Sequence, residues 1–284
     1  MGQVSSCHSC NDREVSSRSQ KRDSFPDLAQ LPPEVAVEVL SHLDATDLCL
    51  ASCVNDLWCS LTNVDVLWKR LCYRRWEQVS AYYNGYMDAH TYKSLYLTLD
   101  NGMLTFSSDP HEGLRYLIQE GVLNDDSESI AAFIHYSDII SWPSLEKYLR
   151  ERWDVLEKIV SLHNYENHFL PDALRYLFSK IPAPKERGPF LDRLLDLFLI
   201  QYKSCNVGLS YSTDTLKVLC YSLILLSVDL TSPHVKNKMS KREFIRNLRP
   251  TVTGISDDTL GHMYDNIYLS GHVATQDDTG SPVR

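Results

Sequence analysis

An all-α protein is predicted by three observations on this 284-residue chain. It holds only 11 glycines and 12 prolines, few for a fold built on many tight β-turns. Apolar residues recur at three- and four-residue spacing through most of its length, with little strict alternation. The longest apolar run, eleven residues from Val218 to Val228, falls well short of the roughly twenty that cross a bilayer. It reads as the buried central helix of a helical domain. With 43% hydrophobic residues the chain can fill a core of that kind.

The charge balance excludes one class of function. Lys and Arg total 28 against 37 Asp and Glu, a net charge of −9, so no nucleic-acid partner is expected, since phosphate neutralisation needs a basic face. Cys49, Cys53, Cys59, Cys72, Cys205 and Cys220 sit in apolar helical patterns, where a thiol behaves as a small hydrophobe. No apolar leader precedes Leu31. A reducing, cytoplasmic setting is therefore expected.

Residues 1–27 are rich in serine and mixed charge and are expected to be disordered. Met1-Gly2-Gln3-Val4-Ser5-Ser6 fits the pattern for myristoylation at Gly2, with Cys7 and Cys10 as palmitoylation candidates. One acyl chain anchors only marginally, so the membrane association expected from this segment is weak. An unmodified tail is the alternative. Cys7 and Cys10 also have the spacing of half a zinc site, but no second ligand pair lies nearby, and no metal is expected.

Residues 28–76 read as a module of short helices. Leu31-Pro32-Pro33-Glu34 opens the first, with proline in the first turn and Glu34 at the positive end of the helix dipole. Val35, Val39, Leu40 and Leu43 follow at helical spacing. Asp44-Ala45-Thr46-Asp47 is a capped turn into Leu48-Cys49-Leu50-Ala51. Trp58 and Leu61 mark a third segment, and Val64, Leu67, Trp68 and Leu71 a fourth. So short a module buries too little to stand alone and should offer apolar residues to a partner.

Leu31-Pro32-Pro33-Glu34, Leu43-Asp44-Ala45-Thr46-Asp47-Leu48, Val54 with Trp58, and Leu67-Trp68-Lys69-Arg70-Leu71 together resemble the F-box. The resemblance implies docking on a Skp-family adaptor of a cullin ubiquitin ligase. Leu31, Pro32, Val39, Leu43, Leu48 and Leu50 are its contact candidates.

Residues 77–105 form a connector too aromatic for a flexible linker; Tyr82, Tyr83, Tyr86, Tyr92 and Tyr96 should pack on neighbours. Helix then follows helix across 106–273. Asp109-Pro110 starts one that Gly121 ends, Ser127 starts another, and Ser144 to Leu149 makes a third. Val155, Ile159 and Val160 continue the pattern, then Leu170, Ala173, Leu174 and Leu177. Residues 274–284 should be disordered.

This region resembles the Sec-seven domain of Arf guanine-nucleotide exchange factors, an all-helical superhelical fold. The likeness runs through Asp109-Pro110…Gly113, Ile130-Ala131-Ala132-Phe133, Leu162-His163-Asn164-Tyr165 and Ala173 to Phe178. It is clearest in Tyr221 to Leu230, continuing through Val235-Lys236-Asn237-Lys238-Met239. An F-box followed by this domain resembles a family of F-box-only proteins that carry both. The implied partner is an Arf-class small GTPase, with Ser227, Asp229, Val235 and Met239 walling the groove that receives it. Met239 as ordinary core is the alternative.

Departures from the family fall where its chemistry lies. Its first signature carries a glutamate finger that repels the nucleotide β-phosphate. At 4 Å and an effective dielectric near 20, two unit charges repel by about 4 kcal/mol. Here the segment reads Pro182-Ala183-Pro184-Lys185-Glu186-Arg187-Gly188-Pro189. Glu186 takes the finger position if one residue is inserted before Leu191; otherwise Arg187 does, and the carboxylate is lost. The Gln-Lys pair that follows the finger is absent, and Gly188-Pro189 should disturb a helix there. Ser227 stands where the family has asparagine.

No phosphate loop, nucleophile elbow or His-Glu-x-x-His motif occurs, and no cofactor is expected. Lys236, Lys238, Lys241, Arg242, Arg246 and Arg249 form a basic cluster, either a solvated face or one that meets an acidic lipid or the GTPase. The expected function is an adaptor that joins an Arf-class GTPase to the ubiquitin ligase. Nucleotide exchange by Glu186 is the alternative.

Overall fold

The structure, a computed structural model, describes residues 28–137, 142–181, 183–184 and 188–273. The candidate positions Gly2, Cys7, Cys10 and Glu186, and the 274–284 tail, lie outside the described residues. Among those described, the fold is all-α, with fourteen α-helices. The sole extended pairing among them is an isolated antiparallel bridge between Trp76 and Ser137.

One compact unit runs through Val64. Its helices are α1 (Pro33–Leu40), α2 (Ala45–Ala51) and α3 (Asp56–Thr62). Pro33 opens α1 where a missing N–H costs nothing. The Asp44 carboxylate caps α2 by accepting from the Asp47 N–H at 2.8 Å, and the Asn55 side-chain oxygen caps α3 through the Trp58 N–H at 2.9 Å. Helix α3 packs on both others, and Ala36, Leu40, Leu48, Ala51 and Leu61 are buried.

The second unit begins at Asp65. It comprises α4 (Asp65–Arg75), α5 (Tyr92–Ser108), α6 (Pro110–Gln119), α7 (Ser127–Tyr136), α8 (Trp142–Glu151), α9 (Trp153–Ser161) and α10 (Leu170–Lys180). Then come α11 (Pro189–Cys205), α12 (Thr213–Thr231), α13 (Lys241–Leu248) and α14 (Asp257–Ser270). Helix α4, the last of the F-box stretch, is thus built into this unit. Trp68 and Trp76 both stand edge-on to Tyr96 of α5, at 5.5 and 5.2 Å between ring centres. Arg75 lies over the Trp76 ring and donates to the Tyr96 hydroxyl and the Asp100 carboxylate. The Asp65 carboxylate accepts from the Tyr92 N–H at 2.8 Å. Of the connector tyrosines, Tyr96 is buried, Tyr82, Tyr86 and Tyr92 are half-buried, and Tyr82 stacks on Tyr73 at 4.6 Å; Tyr83, also expected to pack, is 74% exposed.

Helix α5 falls largely inside that connector and crosses α6 on two glycines. A Cβ on Gly113 would sit 2.5 Å from the Phe106 backbone, and one on Gly102 would sit 2.4 Å from Leu117. The backbones approach because neither residue has a side chain. Helix α9 then lies against α7 and α11, and α12 packs against α10, α11 and α14. Arg175 ties α10 to the end of α14, donating to the Asn266 side-chain and main-chain oxygens and to the Gly271 carbonyl. Contrary to expectation, Gly188-Pro189 does not disturb a helix but starts one: Gly188 is the cap of α11 and Pro189 its first residue.

The buried imidazole of His163 is the acid-sensitive point of this core. It is 1% exposed, and its Nδ1 lies 2.7 Å from the Tyr165 hydroxyl. Burial first, then the charges of His135 and Lys180, pull its pKa down to about 3. The folded state therefore binds fewer protons than the unfolded chain below about pH 6.5, the value for a free histidine. Stability is fully present above that pH and is lost as pH falls toward 3, by up to about 1.4 kcal/mol per pH unit for one proton. His135 and His272, whose pKa values are also lowered by burial, add to the loss. Melting temperatures should hold between pH 7.5 and about 6.5 and fall from there to pH 4.5, and His163→Gln should flatten that fall without abolishing it.

Candidate functional site

Two surfaces assemble the residues singled out from the sequence. The first is on the unit that ends at Val64. Ala36 and Leu40, four residues apart, form the inward stripe of α1. That turns Val35 and Val39 outward, and Val39 is 50% exposed. Leu50 on α2 is 65% exposed, and Val54 and Leu57 are also open. Leu31 and Leu43 are half-buried and Pro32 is exposed. Leu48, a contact candidate on the sequence, is core instead, at 1% exposure: it lies on the inner face of α2 with Ala51 three residues on. The surface thus presents Leu31, Pro32, Val39, Leu43 and Leu50, joined by Val35, Val54 and Leu57.

The second surface lies along α12 and the corner that follows it. Leu216, Leu219, Cys220, Leu223, Leu226 and Ser227 face inward. The sequence reading of a helix buried all round is corrected here, because Leu225 and Val228 are 57% and 45% exposed, with Tyr221 and Ile224 half-buried beside them. Positions 221, 224, 225 and 228 follow helical spacing and make one apolar stripe. The spacing was present in the sequence, but an unbroken apolar run offers no polar contrast to show which face is outside.

At the C-terminal end of α12 the chain turns back on Asp229. Its carboxylate accepts from the Met239 N–H at 2.7 Å. The Lys238 ammonium donates to the main-chain oxygens of Asp229 and Ser232, and the Tyr264 hydroxyl donates to the Met239 carbonyl at 2.8 Å. Burial raises the pKa of that tyrosine, so it remains a donor throughout the neutral range. Ser240 and Glu243 then form a reciprocal capping box that starts α13. Asp229, Val235 and Met239 are brought together and half-buried. Asp229 acts on its neighbours by holding the loop that carries the other two.

Ser227 does not share this surface. It is fully buried, its hydroxyl donating to the Ile224 carbonyl at 2.8 Å and lying 3.3 Å from His272 Nδ1. A side chain with no accessible surface does not touch a partner, so its assignment as a contact is corrected. At the other end of the stripe, the Tyr221 hydroxyl donates to the Asp192 carboxylate in the first turn of α11. Lys217 bridges Asp192 and Asp196, at 3.8 and 2.6 Å. In sequence Glu186 stands three residues ahead of Pro189, the first residue of α11.

The family described as Sec7 domain matches residues 96–270, and that described as F-box-like matches residues 28–74. F-box only protein 8 of Homo sapiens is 49% identical over 261 residues, covering 90% of this chain and 81% of that protein. Brefeldin A-inhibited guanine nucleotide-exchange protein 1 of Homo sapiens is 33% identical over 165 residues, 56% of this chain and 9% of that protein. Among solved structures, the catalytic domain of Sec7p superposes with a TM-score of 0.54 at 28% identity, covering 60% of this chain and 93% of that one.

Removing the Asp229 carboxylate should loosen the corner and leave the rest of the fold in place. A charge-assisted bond to a half-buried N–H contributes about 1.5–3 kcal/mol. Asp229→Ala should therefore lower the melting temperature by several degrees, and hydrogen exchange should rise at Met239 and Ser240 while α5 and α6 stay protected.

Proposed function

The chain, with an F-box ahead of a Sec7 domain, belongs to the F-box only protein 8 family, and we propose that it acts as a recruiting adaptor. In this reading the F-box docks on a Skp-family subunit of a cullin ubiquitin ligase, and the Sec7 domain holds an Arf-class small GTPase as the substrate to be modified. The observation that carries it is the contrast at the second surface. The apolar stripe of α12 and the Asp229–Met239 corner are intact, whereas the two positions nearest the family's exchange chemistry have changed. The Ser227 hydroxyl is bonded internally, and the finger segment lacks the Gln-Lys pair and is followed in sequence by Gly188-Pro189, the start of α11. Recognition needs shape and apolar area; exchange also needs a carboxylate held at the phosphate.

The adaptor half is tested by capture of a purified Skp-family subunit. Val39→Asp/Leu50→Asp places two charges on exposed positions, so the protein should fold as the wild type does and lose capture by at least tenfold. Undiminished capture by the folded variant would count against the F-box reading.

Exchange is the second reading, favoured by the 33% identity to a protein named as a guanine nucleotide-exchange protein. Labelled-GDP release from an Arf-class GTPase separates the two. The adaptor reading expects release at the spontaneous rate and similar affinity for GDP-loaded and nucleotide-free GTPase. Accelerated release that Glu186→Lys abolishes would establish exchange, which requires tightest binding to the emptied state. Under either reading Met239→Lys should fold, because the side chain is half-buried and a lysine there can extend its ammonium to water. It should cost about 1–3 kcal/mol of GTPase affinity.

A further inference from the structure

Helix α13, with Arg249 after it and Asp257 at the start of α14, lines a groove of about 590 Å³ whose walls are Lys241, Arg242, Ile245, Arg246, Arg249 and Asp257. Its two ends are closed by ion pairs. Lys241 reaches Asp265 at 2.6 Å, lying over Gly261, where a Cβ would come within 2.7 Å of its Cε. Arg249 grips the Asp257 carboxylate with two nitrogens. Between these ends Arg242 and Arg246 stand one turn apart, both exposed and in no ion pair among the described residues, with half-buried Ile245 beside them. Glu243, the acidic residue of the same helix, turns its carboxylate back onto the Ser240 N–H and hydroxyl at 2.9 and 2.7 Å. One turn past Asp265 on α14, Tyr268 and Leu269 are 68% and 80% exposed.

We propose that this face docks on an anionic bilayer, taking the phosphate of a lipid headgroup between Arg242 and Arg246 while Tyr268 and Leu269 enter the headgroup layer. Guanidinium forks match phosphate oxygens. An exposed tyrosine and leucine on α14, with two exposed arginines in no ion pair among the described residues on α13, suit an interface that is anionic outside and apolar within. A soluble phosphate would use the arginines and leave the two apolar side chains without a role. The chain as a whole carries −9, so attraction to an acidic membrane must be local, and an oriented contact follows. This inference does not rest on the adaptor reading.

The test is sedimentation of the full-length chain, without acylation, with vesicles of phosphatidylcholine alone or mixed with phosphatidylserine or a phosphoinositide. Binding is expected to both anionic mixtures, not to the neutral one, and should weaken as salt rises. Each cation near an acidic membrane surface contributes roughly fivefold, so Arg242→Glu/Arg246→Glu should cut vesicle binding at least tenfold with an unchanged melting temperature. Arg242→Gln/Arg246→Gln serves if charge reversal unfolds the helix. Tyr268→Ser/Leu269→Ser should weaken binding independently. Equal sedimentation of wild type and the arginine variant overturns the proposal. So does saturable binding of soluble inositol phosphate without vesicle binding, which assigns the groove to a free phosphate. Loss of GTPase binding by the variant, when the wild type ignores vesicles, likewise overturns it and assigns the face to the protein partner.

Discussion

The bond from the Met239 N–H to the Asp229 carboxylate closes a ten-residue excursion at the end of α12, and the second surface depends on it. A loop of that length without secondary structure would otherwise sample many states, each placing Val235 and Met239 differently. The carboxylate fixes one end, the Tyr264 hydroxyl takes the Met239 carbonyl, and the Ser240 capping box converts the fixed position into a helix start. Three inexpensive polar contacts thus let apolar side chains remain half-open to water without drifting into the core. Such a surface gains nothing for the isolated chain. Full burial of a Leu or Val side chain contributes about 1.5–3 kcal/mol, and Leu225 and Val228, 57% and 45% exposed, forgo roughly half of that.

Much of the fold was legible because helix starts are written in local chemistry. Asp44, Asp109 with Pro110, and Asp126 ahead of Ser127 each cap a helix where the sequence placed one. Helix α5 was not legible. The sequence shows an aromatic connector over 77–105, yet a helix runs through Asp100-Asn101-Gly102, with Gly102 packed against Leu117. Packing of that kind, against a residue distant in sequence, leaves no mark in the local pattern. Gly188-Pro189 was misread for the converse reason: the pair is incompatible with a helix interior and well suited to a helix start, and only the position of the boundary distinguishes the two.

The functional residues divide in the same way. Resemblance to the two motifs singled out Val39 and Leu50, which are exposed, and Asp229 and Met239, which are joined by a hydrogen bond. Leu48 and Ser227 were placed on the wrong side of their helices, because a motif reports which residues are characteristic and not whether a given one packs inward or outward. In α2 the alternation Leu48-Cys49-Leu50 puts successive leucines about 200° apart on the helical wheel, so one must be core when the other is exposed. The stripe at Tyr221, Ile224, Leu225 and Val228 was hidden in an apolar run whose two faces differ in surroundings and not in composition.

Motif boundaries and physical boundaries also part company at α4. The F-box match extends to residue 74 and the Sec7 match begins at residue 96, which leaves a gap that looks like a linker. The structure fills that gap with load on both sides. Trp68 and Cys72 of α4 are fully buried, the Tyr92 backbone is held by Asp65 and by the Cys72 thiol, and Arg75 binds two residues of α5. A chain cut at residue 96 would lose the first turn of α5 and uncover Tyr96, on which Trp68, Trp76 and Arg75 pack. The second compact unit starts at Asp65 because burial, not family likeness, defines what can fold. Helix α4 therefore serves two descriptions at once: it completes the F-box pattern in sequence and completes the packing of the Sec7-bearing unit in space.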